Sequence, residues 1–235
     1  MAKRGLLAPR VRPSGERLAD ELLARYTDKY LPDLSDAVGP LYTMDGAIRP
    51  LHHGQRRAIG QALTVRCLPG DNLTVHLALR MVQDGDVLVI DAHGDRTFCG
   101  TGAGSLVLPI RRGLRGIVTD GVWRDLTETE SLGVPILARG VSPVSPPKNR
   151  IGEINVPISC GGVIVQPGDL IVADAEGTVV IPSAAAAYIA DEVADYRPNG
   201  ADDWPVEQLE TQMSVAWQRF DQLLAEQTAA GRSDF

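Results

Sequence analysis

Residues 102–125 read GAGSLVLPIRRGLRGIVTDGVWRD. Gly102, Gly104 and Ser105 open a short helix, and Gly113 and Gly116 bracket the turn after it. Residues 117–119 form a short apolar strand, and Asp120, Gly121, Val122 and Trp123 carry the chain to Arg124 and Asp125. A glycine turn, a helix, a turn and a buried strand in this order predict a βαβ-like unit and hence an α/β fold. The first N–H groups of a helix have no partner within it and can hold an anion. Glycines there let a ligand approach the backbone. The same residues also suit an ordinary tight turn into a helix.

Upstream, residues 85–95 (GDVLVIDAHGD) are a turn and a buried strand, 87–90, ending in Asp91, His93 and Asp95. Polar groups at the carboxyl end of a buried strand are placed for function in α/β folds. Residues 58–66 read as a strand with a glycine break, and 71–81 as a helix capped by Asp71 or Asn72. Leu18, Leu22, Leu23 and Tyr26 give residues 16–30 an amphipathic helical spacing, with Pro32 as its stop. Residues 34–39 start a second short helix capped by Ser35 or Asp36, 42–53 are irregular, and 1–15 form a mobile arm or an oligomer contact.

Downstream, residues 127–132 predict a short helix and 134–138 a strand, followed by a loop with Pro143, Pro146 and Pro147. Short strands are expected at 154–158 and 162–165, and a hairpin over 167–182. PGDLIVAD at 167–174 echoes GDVLVIDA at 85–92, which by itself is weak evidence for a repeat. An Ala-rich helix over 182–196, a polar loop over 199–205, a long helix over 206–227 and a frayed tail complete the chain. The long helix would dock on its own core or bridge subunits.

Hydrophobic residues make up 44% of the 235, enough for a substantial core. A net charge of −7 with a pI near 5.1 argues against phosphate-backbone binding, although Arg111, Arg112 and Arg115 cluster locally. Cys67, Cys99 and Cys160 are scattered and suggest neither a disulfide framework nor a zinc site. No apolar run has the length of a signal peptide or a membrane span. The expectation is a cytoplasmic protein that engages neither nucleic acid nor membrane.

The chemistry centres on Arg124 and Asp125. A guanidinium holds a carboxylate in a fixed fork, and one Asp with several waters is a common way to hold Mg²⁺. Together they point to Lewis-acid chemistry on a 2-oxo acid. The bland alternative is a surface ion pair, with Asp125 capping the helix after it. TGAG lacks the ending of a Walker loop, and no GxSxG or HExxH is present. Among His52, His53, His76 and His93, the last is the best acid/base candidate because it lies between Asp91 and Asp95, though a turn role fits equally. His76 reads as a packing residue, and Cys99 shows no partner base.

GAGS and RRGLRGIVTDGVWRD together resemble the signature of the RraA-like family, which includes 4-hydroxy-4-methyl-2-oxoglutarate aldolases. The resemblance runs from residue 34 to 182 and takes in DNLTVHLAL, GDVLVIDAHGD and INVPISCGGVIVQPGDLIVADAEGTVVIP. It implies an α/β/β layered sandwich with a swivelling-domain-like core over 34–182. Helical arms would flank it at 1–33 and 183–235. It also implies a homotrimer or homohexamer with the site at a subunit interface. In that reading the amides of Gly102, Ala103, Gly104 and Ser105 hold a pyruvyl carboxylate, Arg124 contacts the substrate, and Asp125 binds Mg²⁺ or Mn²⁺. The implied reaction is retro-aldol cleavage of a 2-oxo-4-hydroxy dicarboxylate, with oxaloacetate decarboxylation as a side activity through the same pyruvate enolate.

The family's aldolases often carry an acid where this chain has Ala103, and two bulky apolar residues where it has Gly104 and Ser105. Three alternatives follow: Asp95 or His93 supplies the acid, another substrate is used, or the chain is no catalyst. Glu207 or Glu210 are candidates for an acid reaching a neighbouring subunit's site. The family also implies an alternative: a protein-binding regulator that inhibits an RNA-degrading endonuclease. A methyltransferase label attached to the family finds no glycine-rich nucleoside-binding signature here.

Overall fold

The computed structural model describes residues 9–52, 54, 56–194 and 206–229. The chain divides into two compact units, Met1–Tyr196 and Arg197–Phe235. In chain order the first holds α1 (Asp20–Ala24), α2 (Leu31–Val38), β1 (Arg49–Pro50), β2 (Ala58–Arg66), α3 (Leu73–Met81), β3 (Asp86–Asp91) and α4 (Val107–Arg111). It continues with β4 (Gly116–Thr119), α5 (Leu126–Leu132), β5 (Ile136–Ala138), β6 (Glu153–Ile154), β7 (Ile158–Cys160), β8 (Val163–Val165), β9 (Leu170–Asp174), β10 (Gly177–Ile181) and α6 (Ala186–Glu192). The second unit holds α7 (Val206–Ala229). The polar loop at 199–205 and the tail from 230 lie outside the described residues.

The main sheet runs β1-β5-β4-β3-β2-β9-β10, with β6 also paired to β2. β2 to β5 are mutually parallel in that order, and β9 joins the other edge of β2 antiparallel. Alternation along β3 explains its complete burial. Leu88 and Ile90 enter a core with Val75, Ala78 and Leu79 of α3, together with Leu106 and Leu114. Val87 and Val89 enter a second core with Ile158, Cys160, Val163 and Val165 of the β7–β8 hairpin. Successive side chains of a strand point to opposite faces, so helices cover one face and the hairpin the other. This is the α/β/β layering expected. A third core joins β9 and β10 to α2 and α6 through Leu34, Val172, Val179 and Ile189.

Several local expectations change. Pro32 does not stop a helix. It sits in the first turn of α2, where its missing N–H costs nothing, and Ser35 and Asp36 are interior to that helix rather than caps. The strand expected at 154–158 is two pieces, because Asn155 takes φ +54° and Pro157 has no N–H to give a ladder. Ile154 pairs with Val65 of β2, while Ile158 pairs with Val165. Residues 10–12 are not a free arm: Ile154 N donates to the Arg10 carbonyl at 2.9 Å, and Arg12 N to the Ile154 carbonyl at 3.2 Å. The helical extension expected after residue 182 falls in two pieces, α6 in the first unit and α7 in the second.

The sequence echo corresponds to a structural one. Gly85 and Gly168 both take a left-handed φ, +84° and +87°. In each turn the following Asp accepts the N–H of the Gln three residues earlier, Asp86 from Gln83 and Asp169 from Gln166, both at 2.8 Å. The two turns flank β2: Gln61 N donates to the Gly85 carbonyl and Ala62 N to the Asp169 carbonyl.

Candidate active site

β4 ends at Thr119, and the next residues are clamped from both sides. Gly100 N donates to the Val122 carbonyl at 2.9 Å, and Trp123 N to the Gly140 carbonyl at 3.0 Å. The Trp123 ring is fully buried and lies over Gly100, where an added Cβ would meet Cζ3 at 2.5 Å. This anchor fixes where Arg124 and Asp125 leave the strand end.

Both side chains converge on Gly102. A Cβ there would lie 2.2 Å from Asp125 Oδ2, 2.9 Å from Arg124 Nε and 3.1 Å from Arg124 Nη2. The glycine is therefore required by close approach. Asp125 Oδ2 accepts the backbone N–H of Ala103 at 3.0 Å. Asp125 occupies the N-cap position of α5, but its side chain makes no cap hydrogen bond and its backbone is left-handed (φ +58°, ψ +49°). Non-glycine residues held in that region mark sites where the surroundings over-determine the backbone. The determinants here are the hydrogen bonds of the Asp125 carbonyl to Thr129 N and Oγ1, at 2.8 and 2.9 Å, with His52 Nε2 on the same hydroxyl at 3.0 Å.

Arg124 Nε stands 3.8 Å from Asp125 Oδ1. It is buried without a hydrogen-bond partner among the described residues, while the side chain as a whole remains one-third exposed. An unpartnered buried donor is costly, so a guanidinium held this way is prepared for an anion arriving from solvent. The turn it faces is a 3₁₀ turn, Ala103–Ser105, running into the five-residue α4. The anion cradle expected at a helix start is thus a tight turn, and Asp125 already occupies one of its N–H groups.

The arrangement fits a hydrated divalent cation. Asp125 is 39% exposed and offers one carboxylate. Among the described residues no cluster of three or more His, Cys, Asp or Glu could hold a metal. Water would fill the remaining positions, which suits Mg²⁺, a cation that keeps several waters.

His93 and Asp95 are placed differently. His93 Nε2 lies 2.8 Å from the Cys67 carbonyl, and its Nδ1 lies 3.4 Å from Asp91 Oδ1. Asp95 Oδ1 accepts the N–H groups of Thr97 and Phe98, and Asp120 accepts those of Ala92 and Gly94. These contacts staple the loop after β3. Burial pushes the Asp120 carboxyl up, and neighbouring Asp91 adds to the shift.

Two residues, His76 and Thr101, join the site without any local signal in the sequence. His76, on α3, brings Nε2 to 3.5 Å from Thr101 Oγ1, and that hydroxyl donates to Ser105 Oγ at 3.1 Å. Burial, then the charges of Lys148 and Arg124, push the His76 imidazole below its ordinary value. Cys99 feels Arg124 and Asp125, but burial raises its thiol, so it makes a poor nucleophile. A cleft of about 570 Å³ elsewhere is lined by Leu23, Arg56, Arg57 and Arg115. Two of its arginines are committed, Arg57 to Asp174 and Arg115 to Asp84.

A family model described as RraA-like (Aldolase/RraA) matches residues 31–180. A protein of Halalkalibacterium halodurans with the provisional name 4-hydroxy-4-methyl-2-oxoglutarate aldolase is 44% identical over 149 residues, 63% of this chain and 70% of that protein. Streptomyces coelicolor RraAS2, described as an unusual member of the RNase ES inhibitor RraA protein family, superposes with a TM-score of 0.68 at 31% identity, covering 76% of this chain and 92% of that one. An uncharacterized protein of Pseudomonas syringae superposes at 0.67 with 27% identity, over 87% and 91% of the two chains. With the same layered fold and a family match that spans α2 to β10, this chain belongs to the RraA-like family.

Proposed function

We propose that the protein is a divalent-metal-dependent lyase, an aldolase or decarboxylase, that cleaves small 2-oxo carboxylates through a pyruvate enolate. The observation that carries this reading is the convergence of the Arg124 guanidinium and the Asp125 carboxylate on Gly102, with Arg124 Nε buried and without a hydrogen-bond partner among the described residues. The aldolase name of the Halalkalibacterium relative supports it.

Arg124 binds and orients the substrate carboxylate through its fork. The turn 102–105 presents backbone without bulky side chains, and Gly104 has open space around it. Asp125 would hold the cation, Mg²⁺ or Mn²⁺, and its bond to Ala103 N fixes the carboxylate against the turn. When bound, the cation supplies Lewis-acid polarisation of the 2-oxo group. Asp125 and Arg124 keep opposite charges side by side, so an anionic substrate arrives at a compensated site. The working enzyme is proposed to be a cytoplasmic homo-oligomer, trimer or hexamer, checked by light scattering.

The test is pyruvate release from oxaloacetate and from 4-carboxy-4-hydroxy-2-oxoadipate with Mg²⁺. Turnover that is lost in Asp125→Ala supports the reading. No turnover, together with unchanged metal and oxalate binding in Asp125→Ala, overturns it. A non-catalytic role as a protein-binding regulator is the second reading, favoured by the RNase-inhibitor family named for RraAS2. Inhibition of a purified RNase E-type endonuclease by a catalytically dead Asp125→Ala protein would support it.

A further inference from the structure

Proton traffic at this site has no evident owner among the residues already placed. Ala103 has no ionisable side chain. Arg124 carries five N–H donors and no acceptor. Asp125 already accepts the Ala103 N–H and faces Arg124. His93 and Asp95 are engaged around the loop after β3. One ionisable group does reach the turn through hydroxyls: His76, by way of Thr101 and Ser105.

We propose that His76, Thr101 and Ser105 form a proton relay that serves the lyase site, with Ser105 as its substrate-facing end and His76 as its base. The proposal rests on the lyase reading above. Ser105 lies within the 3₁₀ turn that Arg124 and Asp125 face. Thr101 is 2% exposed, so its hydroxyl has little access to bulk water as an alternative partner. Each hydroxyl can donate one hydrogen bond while accepting another, so the pair can carry a proton in either direction by rotating together. Thr101 donating to Ser105 is the sense that carries a proton toward the turn; the opposite rotation carries one toward His76. The 3.5 Å gap between His76 Nε2 and Thr101 Oγ1 is long for a hydrogen bond. Catalytic contacts of this kind often tighten only when substrate is bound.

The step balances within one turnover. The C4 hydroxyl of a 4-hydroxy-2-oxo acid gives its proton through Ser105 and Thr101 to His76, which becomes imidazolium. The C3–C4 bond breaks, C4 becomes a carbonyl, and the bond's electron pair passes to the pyruvate half as its enolate. His76 then returns the same proton through the two hydroxyls to C3, giving the methyl group of pyruvate. In decarboxylation only the second half is used, and His76 takes that proton from solvent.

The electrostatic setting suits a base. Burial is the main influence lowering the imidazole's proton affinity. Lys148, from the loop before β6, and Arg124, from the β4–α5 connection, are the charged groups that bear on it, and both act in the same direction. The free base therefore prevails at neutral pH, and the acidic limb of the pH–rate profile reports His76.

The experiment compares wild type, His76→Asn and Thr101→Val in the Mg²⁺-loaded protein. Three readouts are taken: kcat for aldol cleavage across pH, oxalate affinity by calorimetry, and methyl H/D exchange of pyruvate by NMR. The relay predicts that kcat and methyl exchange fall about 100-fold or more in both variants, the scale of general acid–base catalysis. Oxalate affinity stays within about 3-fold, since binding is left to Arg124 and Asp125. The acidic limb disappears in His76→Asn, and added imidazole restores part of the rate. Thr101→Val, which keeps the imidazole, separates a relay from a merely structural histidine. Wild-type cleavage with both variants within about 3-fold of it overturns the relay alone. A wild type that neither cleaves nor exchanges, with metal and oxalate binding insensitive to Asp125→Ala, overturns the lyase reading and the relay with it.

Discussion

The carboxylate of Asp125 fills the space that a side chain on Gly102 would need, with Oδ2 only 2.2 Å from the position of an added Cβ. Gly60 is equally tight, 2.2 Å from a neighbour, but that neighbour is the Gly85 backbone carbonyl. A flexible side-chain end can swing away, whereas a strand-flanking carbonyl cannot. Gly102→Ala should therefore change stability by less than about 1 kcal/mol yet lose about 100-fold in activity, because displacing a reacting group by an ångström has that effect. Gly60→Ala should lose about 1–3 kcal/mol through overpacking. Urea melts and initial rates on the two variants check this. An active Gly102→Ala protein would sink the assignment of Asp125 and Arg124.

Asp125→Asn separates charge from shape. An amide oxygen can still accept the Ala103 N–H, so the turn and the fold should persist. The proposed cation would lose the one carboxylate assigned to it among the described residues, and Mg²⁺ or Mn²⁺ affinity should fall by at least about 10-fold, with activity falling in parallel. EDTA should abolish wild-type activity, and added Mg²⁺ should restore it. Calorimetric titration of metal into both proteins is the measurement, and equal affinities would remove Asp125 as the ligand.

Much of this fold is legible because its signals are local. β2 and β3 announce themselves as apolar runs between glycine turns, and their near-complete burial on both faces follows from lying in the middle of a layered sheet. The hairpin at 170–181 is written in its turn. Pro32 misleads because a proline is compatible with either the end or the first turn of a helix, and only the packing of Leu31 and Leu34 against β9 and β10 decides. The Arg124–Asp125 pair is legible as chemistry. The left-handed backbone of Asp125 is not, since the Thr129 hydroxyl that holds its carbonyl is itself met by His52, brought in from elsewhere. His76 reads as core by helical position; only the tertiary approach of Thr101 reveals its other side.

The His76 setting also makes stability depend on pH. Its imidazole binds a proton less readily in the folded state than at its ordinary value of 6.5. The associated stability is fully present above that value and is lost as pH falls through the lower folded-state value, because the unfolded chain then binds the proton better. Wild-type thermal midpoints should therefore drop between pH 7.5 and 5.5 by more than those of His76→Asn. Identical drops in the two proteins would show that His76 is not protected from protonation.

Asp169 is 5% exposed and accepts Gln166 N at 2.8 Å and Ser183 N at 3.2 Å. Burial is the largest influence on its carboxyl and raises it, while the two backbone N–H bonds act the other way. Asp169→Ala leaves both N–H groups without the carboxylate and should lose about 1–3 kcal/mol, the cost of unsatisfied buried groups. Because Asp169 lies at the start of β9 and makes no contact with the Arg124–Asp125 pair, specific activity of the folded fraction should be unchanged. Asp86→Ala should cost at least as much, since Arg17 pairs with the same carboxylate that accepts Gln83 N. Equilibrium urea unfolding of both variants decides the matter: if Asp169→Ala shifts stability by less than about 0.5 kcal/mol, the range of ordinary surface substitutions, the echoed turn is a coincidence of sequence and not a structural device.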